Sequence, residues 1–202
     1  MKGHPGTAKS TLARFIASSL KIPLLDKDDI PDSSFTLQNS LLLTSPATPS
    51  SLLNDLSYHA IWQLASTQLR LRLSVVIDSP LSRKTHLDRL LGIAASVGGR
   101  IVIIECKPKD EAEWRRRLER RGGEVSLSPG GPGWHKPTTW QDIERLLKGY
   151  GGCTEYDVGD VPKMVVDTTA PVELGELCSG VLELIVAHGG AALSYHQTSK
   201  EI

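Results

Sequence analysis

Gly3-His4-Pro5-Gly6-Thr7-Ala8-Lys9-Ser10, followed at once by Thr11 and Leu12, fits the pattern G-x-x-x-x-G-K-[ST] at every defined position but one. The exception is Ala8, which stands where glycine is usual. Glycines at Gly3 and Gly6 let the chain curl so that successive backbone N–H groups, those of Thr7 and Ala8 among them, face inward. Such a nest binds phosphate oxygens, and the positive end of a following helix reinforces it. In this geometry Lys9 reaches the β- and γ-phosphates and Ser10 offers its hydroxyl to Mg²⁺, while Thr11 carries the chain into a helix. Leu12, Ile16 and Leu20 then recur at helical spacing on one face. Ala8 adds only a methyl group, but it costs affinity if its position requires positive φ.

Outward from this loop, short apolar runs over 22–25, 73–77, 100–105 and 163–166 read as strands. Most are continuous and β-branched, as expected when helices cover both faces of a strand. Between them lie helical patterns: Leu56, Ala60 and Leu64, then Leu87, Leu90, Leu91 and Ala94, then Leu174, Leu177, Val181, Leu184 and Ile185. Alternation of this kind predicts an α/β fold, a three-layer, doubly wound, mostly parallel sheet with ligands at the carboxyl ends of the strands. Residues 31–51 are rich in Ser, Thr and Pro, and 122–139 in Gly and Pro. Both read as loops, the first on the substrate side and the second within a lid-like segment, 112–139. One domain over 1–188 is expected, with 189–202 as a flexible tail.

Composition excludes several classes. Hydrophobic residues make up 40% and charged residues 23%, ordinary values for globular chains, so neither disorder nor a fibrous repeat is indicated. Lys plus Arg equals Asp plus Glu, 23 against 23, so no global field draws the chain to nucleic acid or an anionic membrane. Neither a membrane-length apolar stretch nor a signal-peptide core is visible, which makes a cytoplasmic location the expectation. Cys106, Cys153 and Cys178 are odd in number and widely spaced, and are expected as reduced thiols.

Three carboxylates, Asp26, Asp28 and Asp29, close the first apolar run beside the loop. Phosphoryl transfer needs a group that orients or deprotonates the attacking oxygen, and Asp28 and Asp29 are the candidates. Val75-Val76-Ile77-Asp78 is an apolar strand ending in an aspartate whose carboxylate is expected to bind a water on Mg²⁺. No Glu follows Asp78, which favours transfer to a substrate over hydrolysis. Arg115, Arg116, Arg117, Arg120 and Arg121 share one helical segment, with Arg117 and Arg121 on a common face beside the lid. These two are the candidates for neutralising charge on a moving phosphoryl group. His135-Lys136-Pro137 and Trp140 are expected to anchor the lid, and Trp62 and Trp114 to pack.

The loop, the strand after it and the acidic turn together resemble the small P-loop kinases: nucleoside monophosphate kinases, shikimate-type kinases, polynucleotide 5′-hydroxyl kinases and the zeta-toxin-like group labelled as an AAA-type ATP-binding domain. The resemblance covers roughly residues 1–188 and implies ATP as phosphoryl donor, with Mg²⁺, and a small-molecule or nucleotide hydroxyl as acceptor. Asp26 resembles the first Asp of the shikimate-type Asp-x-Asp turn, which implies a place for it near Mg²⁺, and Asp29 resembles the second of a polynucleotide-kinase Asp pair. Asp167, in the turn after the last strand, is implied at the adenine. A polynucleotide kinase or a non-catalytic nucleotide-binding module is the alternative, and the neutral composition argues against a nucleic-acid groove. In such families a strand of about five residues leads into the first glycine. Only Met1 and Lys2 precede Gly3 here, so an N-terminally truncated form is expected, its two neighbouring strands left about 9.6 Å apart with unpaired edges.

Overall fold

The computed structural model describes residues 1–44, 50–125, 133 and 135–189. Helix α1 (Lys9–Leu20) follows the opening loop directly, and strand β1 (Leu24–Asp26) follows it. Helices α2 (Asp29–Ser33), α3 (Phe35–Thr44) and α4 (Ser50–Arg70) precede β2 (Val76–Asp78) and α5 (Lys84–Ala95). The remainder runs β3 (Ile103–Cys106), α6 (Glu111–Val125), α7 (Trp140–Tyr150), β4 (Lys163–Val166) and α8 (Leu174–Gly189).

β1 pairs parallel with β2, Leu25 opposite Ile77, and β3 pairs parallel with β4, Ile104 opposite Met164. Residues 1–3 join the two pairs. Lys2 N–H donates to Ile104 O and Cys106 N–H to Lys2 O, both at 2.8 Å, in a parallel bridge opposite Glu105. On the other side the Met1 nitrogen donates to Ile77 O at 2.7 Å, and Gly3 N–H to Pro80 O at 3.2 Å. The order across the sheet is therefore β1, β2, residues 1–3, β3, β4. The edges expected to stand open are bridged over this short length.

α1 and α8 cover one face. Leu12, Ala13, Ile16 and Ala17 of α1 bury against Val76, Ile104, Cys106 and Val166 of the strands and Cys178 and Val181 of α8. α5 covers the opposite face, where Leu87 packs with Leu81 and Ile103. The fold is thus the three-layer α/β arrangement with parallel strands that the alternation predicts. Burial pushes the Cys106 thiol up to about 12 and that of Cys178 to about 11, and all three cysteines are unpaired.

Residues 31–51 differ from the loop expected there. α2 and α3 occupy 29–33 and 35–44, and α4 begins at Ser50. Their serines do not break the helices, because the hydroxyls turn back on carbonyls four residues earlier: Ser33 on Asp29, Ser34 on Ile30 and Ser40 on Thr36. α6 likewise continues through Gly122 into the stretch read as loop. α7 is a further helix without a forecast. Thr139 accepts from Asp142 N–H and the Asp142 carboxylate accepts from Thr139 N–H, a reciprocal capping box. α8 runs through His188 and Gly189, the start of the expected tail, and 190–202 lie outside the described residues. Among those described, no helix is long and apolar enough to cross a membrane.

Candidate active site

The loop 3–8 leaves the sheet between β2 and β3 and turns into α1. Gly3 has φ 145°, and a Cβ there would meet Cys106 O at 2.6 Å, so close passage over β3 requires glycine. Gly6 has φ 79°, with the Trp114 indole where a Cβ would go. Ala8 has φ 55°, the left-handed region that its non-glycine character makes costly. Thr7 is buried and its hydroxyl donates to His4 O at 2.8 Å, which fixes the curl. Trp114 of α6 braces the loop from outside: Nε1 donates to Pro5 O at 2.9 Å, and the ring stacks on His4.

Lys9, in the first turn of α1, forms a buried ion pair with Asp78 Oδ1 at the end of β2. Asp78 is fully buried, and its Oδ2 has no partner among the described residues. Asp26, at the carboxyl end of the adjacent β1, has its carboxyl raised above the ordinary range, chiefly by burial, with the charge of Asp78 adding to it. Two buried carboxylates that repel one another, one with an orphaned oxygen, fit a hard divalent cation such as Mg²⁺, with Asp26 and Ser10 both lining the cleft. Among the described residues no group of three or more acidic, His or Cys side chains forms a metal cage. Such an ion would therefore need water or phosphate oxygens as its remaining ligands.

The cleft that contains the loop measures about 1160 Å³. Asp28 lies in it, held by Lys136 at 2.9 Å, Lys27 at 3.1 Å and His135 Nε2 at 3.3 Å. Burial works to raise its carboxyl, but the His135 hydrogen bond and the two lysine charges outweigh that and hold it well below the usual carboxylate range. His135 Nδ1 also lies 3.2 Å from Asp32, and Gly133 N–H donates to Asp32 at 2.8 Å, so these two residues sit on the acidic turn. Asp29 lines the same cleft as the exposed first residue of α2.

Arg117 and Arg121 both reach the cleft. Arg117 donates from Nε to Glu113 and from Nη1 to Thr168 O, both at 2.6 Å. Arg121 donates to Pro137 O at 2.6 Å, and its buried Nε has no partner among the described residues. Asp167 does not join them. Its Oδ1 accepts from Lys109 N–H at 3.1 Å and from the Thr169 hydroxyl at 2.6 Å, tying the β3–α6 turn to the β4–α8 turn outside the cleft lining.

Sequence patterns missed part of this wall. Tyr58, Ser82, His86 and Tyr150 also line the cleft, with the Tyr58 and His86 rings 4.0 Å apart. Their separation along the chain left no local signal. Lys27 is a different case, since a lysine between two aspartates reads as a solvated pair, yet it is buried beneath Tyr58.

A glycine-bearing loop wrapped onto the first turn of a helix, beside two strand-end aspartates on a parallel sheet, defines a P-loop domain of the small-kinase fold. Residues 1–128 match the family model described as an AAA domain, and the chain belongs to that family. Solved structures agree on the fold. A candidate kinase of Chloroflexus aurantiacus is 20% identical, with TM-score 0.65 over 90% of this chain and 94% of that one. A gluconokinase of Sinorhizobium meliloti is 19% identical, with TM-score 0.58 over 92% and 89%. The adenylylsulfate (APS) kinase of Mycobacterium tuberculosis, solved with AMPPNP and APS, is 13% identical, with TM-score 0.54 over 92% and 94%. No curated protein matches the chain.

Proposed function

We propose that the chain is an ATP-dependent kinase that transfers the γ-phosphoryl group to a hydroxyl of a small molecule or nucleotide. The observation that carries it is the buried ion pair of Lys9 with Asp78, whose Oδ2 is orphaned, where Lys9 itself lines the cleft that Asp28 and Arg121 also line. The inward N–H groups of the loop would bind the β- and γ-phosphates, and Lys9 would exchange Asp78 for phosphate oxygen. Ser10, Asp78 and Asp26 would hold Mg²⁺, which when bound supplies charge neutralisation between the phosphates. Asp28 or Asp29 would take the proton of the attacking hydroxyl as its oxygen bonds to Pγ. The bond from Pγ to the β–γ bridging oxygen breaks and ADP leaves. Arg121, with Arg117 beside it, would stabilise the equatorial oxygens, and the Asp167 turn would border the adenine.

Binding without transfer is the second reading, favoured by the triple engagement of Asp28 with Lys27, His135 and Lys136. Titrating Mg²⁺-ATP into the protein and into Asp78→Asn tests nucleotide binding. A screen of hydroxyl acceptors, polynucleotide 5′ ends included, tests transfer. Absence of Mg²⁺-dependent ATP binding sinks both readings, whereas binding with no acceptor phosphorylated leaves the second.

A further inference from the structure

Beside the acidic turn the cleft has a second polar end. Ser82 and Arg83 come from the chain that leaves β2, Tyr58 from α4, His86 from the first turn of α5 and Tyr150 from the last turn of α7, and all five line it. The Tyr58 and His86 rings lie 4.0 Å apart, with the Trp62 ring 5.7 Å from each. The Ser82 hydroxyl faces those of Tyr58 and Tyr150, and the Arg83 charge acts on both phenols and on the His86 ring. Tyr58 is 4% exposed, and the buried His86 Nδ1 has no partner among the described residues. Burial raises both phenols above their ordinary range, and burial together with Arg83 lowers the His86 ring below its own, so all three are uncharged at neutral pH. Asp55 acts on His86 from outside the cleft lining. Lys27 and Lys84 are paired with Asp28 and Asp88, whereas Arg83 has no ion pair among the described residues.

Uncharged donors grouped around an unpaired guanidinium fit an oxyanion, which accepts from all of them and supplies the charge that this end lacks. The charges of Asp28 and Arg83 both reach the Tyr58 hydroxyl, with opposite effect. A small molecule whose hydroxyl meets Asp28 can therefore rest its other end on Arg83. We propose that the acceptor is a hydroxyl compound bearing a carboxylate or phosphate group, and that Arg83, with Tyr58, Tyr150 and His86, binds this oxyanion. The assignment rests on the kinase reading above. It makes Arg83 a specificity-determining residue, because a contact that is the same before and during transfer sets KM and leaves kcat unchanged.

The probes are acetate and inorganic phosphate, with acetamide as the neutral control, titrated while the His86 ring is followed by NMR. The protein is first loaded with Mg²⁺ and the non-hydrolysable AMPPNP, which keeps the anions off the loop 3–8. The expected result is a saturable shift of the His86 resonances with an anion and none with acetamide, and the anion that saturates at the lower concentration identifies the acceptor's group. Arg83 is exposed, so its replacement spares the fold. Arg83→Gln should weaken the response about tenfold and Arg83→Lys by less, with AMPPNP affinity unchanged. In the hydroxyl screen, transfer should be confined to anionic acceptors, and Arg83→Gln should raise KM about tenfold at the same kcat. Nucleotide binding with no saturable anion shift, or a shift that Arg83→Gln leaves intact, overturns the proposal and spares the kinase reading. Efficient transfer to a neutral acceptor does the same. Failure of the nucleotide to bind sinks the kinase reading, and the acceptor assignment with it.

Discussion

Lys9 and Asp78 are ion-paired across the junction of α1 and β2, with Asp78 fully buried. Removing one partner of such a pair strands a charge in a dry site and costs about 3–5 kcal/mol, whereas replacing both with apolar groups of similar size is near neutral. Lys9→Ala is therefore expected to lower stability by that amount and to abolish ATP binding. The double variant Lys9→Met/Asp78→Leu should recover most of the stability and none of the binding. Urea unfolding beside ATP titration separates the two effects, and a double variant that binds ATP contradicts the assigned role of both residues.

Ala8 holds a left-handed backbone where the chain passes from loop to helix, at φ 55°. The left-handed conformation costs an L-residue about 1–2 kcal/mol, and glycine returns about 0.5–1 kcal/mol of that as unfolded-state entropy. Ala8→Gly should accordingly stabilise the protein by about 0.5–1 kcal/mol, read as a higher denaturation midpoint at unchanged slope. An unchanged or lower midpoint contradicts strain at this position.

The strands, α1, α5 and the loop were legible because each is local. A continuous β-branched run, a 3.6-residue stripe or a glycine spacing is complete within about fifteen residues. Asp26, Asp28 and Asp78 were legible for the same reason, each lying at or just beyond the end of such a run. What escaped depends on tertiary contact. α3 carries Ser, Thr and Gln, and its helical state rests on side chains returned to its own and neighbouring carbonyls, such as Gln38 Nε2 to Pro31 O at 3.3 Å. The capping box at Thr139 was present in the sequence as Thr-x-x-Asp, but the Gly-rich approach masked it. The docking of His135 and Lys136 onto Asp28 joins residues about a hundred positions apart, and no local pattern encodes it.

Lys136 lies 2.9 Å from Asp28, a pair about one-fifth exposed on each side. The depressed carboxyl of Asp28 contributes stability that is present above the ordinary carboxylate pKa of about 4 and is lost as pH falls through its lower folded value. Lys136→Ala raises that folded value toward the ordinary one. The variant should therefore be less stable than the parent by about 1 kcal/mol at neutral pH, with the difference vanishing in strong acid. The Asp28 carboxyl resonance, followed by NMR against pH, should titrate higher in the variant. If Asp28 is the base, the acid limb of the rate profile moves up with it. A variant whose stability gap widens toward acid pH contradicts the assignment.

Trp114 connects α6 to the loop 3–8 through its Nε1 bond to Pro5 O, 2.9 Å, and to α7 through its edge-on contact with Trp140. Trp114→Phe keeps most of the apolar contact and deletes the donor, leaving the loop carbonyl without its partner. A lost bond of this kind costs about 1 kcal/mol, or about fivefold in affinity where it holds the binding conformation. ATP affinity is expected to fall by that factor through faster dissociation, because the loop must re-form its curl each time nucleotide binds. Tryptophan fluorescence should report it directly, since ATP binding in the parent changes the surroundings of Trp114 and the variant loses that part of the signal. An unchanged dissociation rate would mean that Gly3, Gly6 and the Thr7 bond to His4 hold the loop without help from α6.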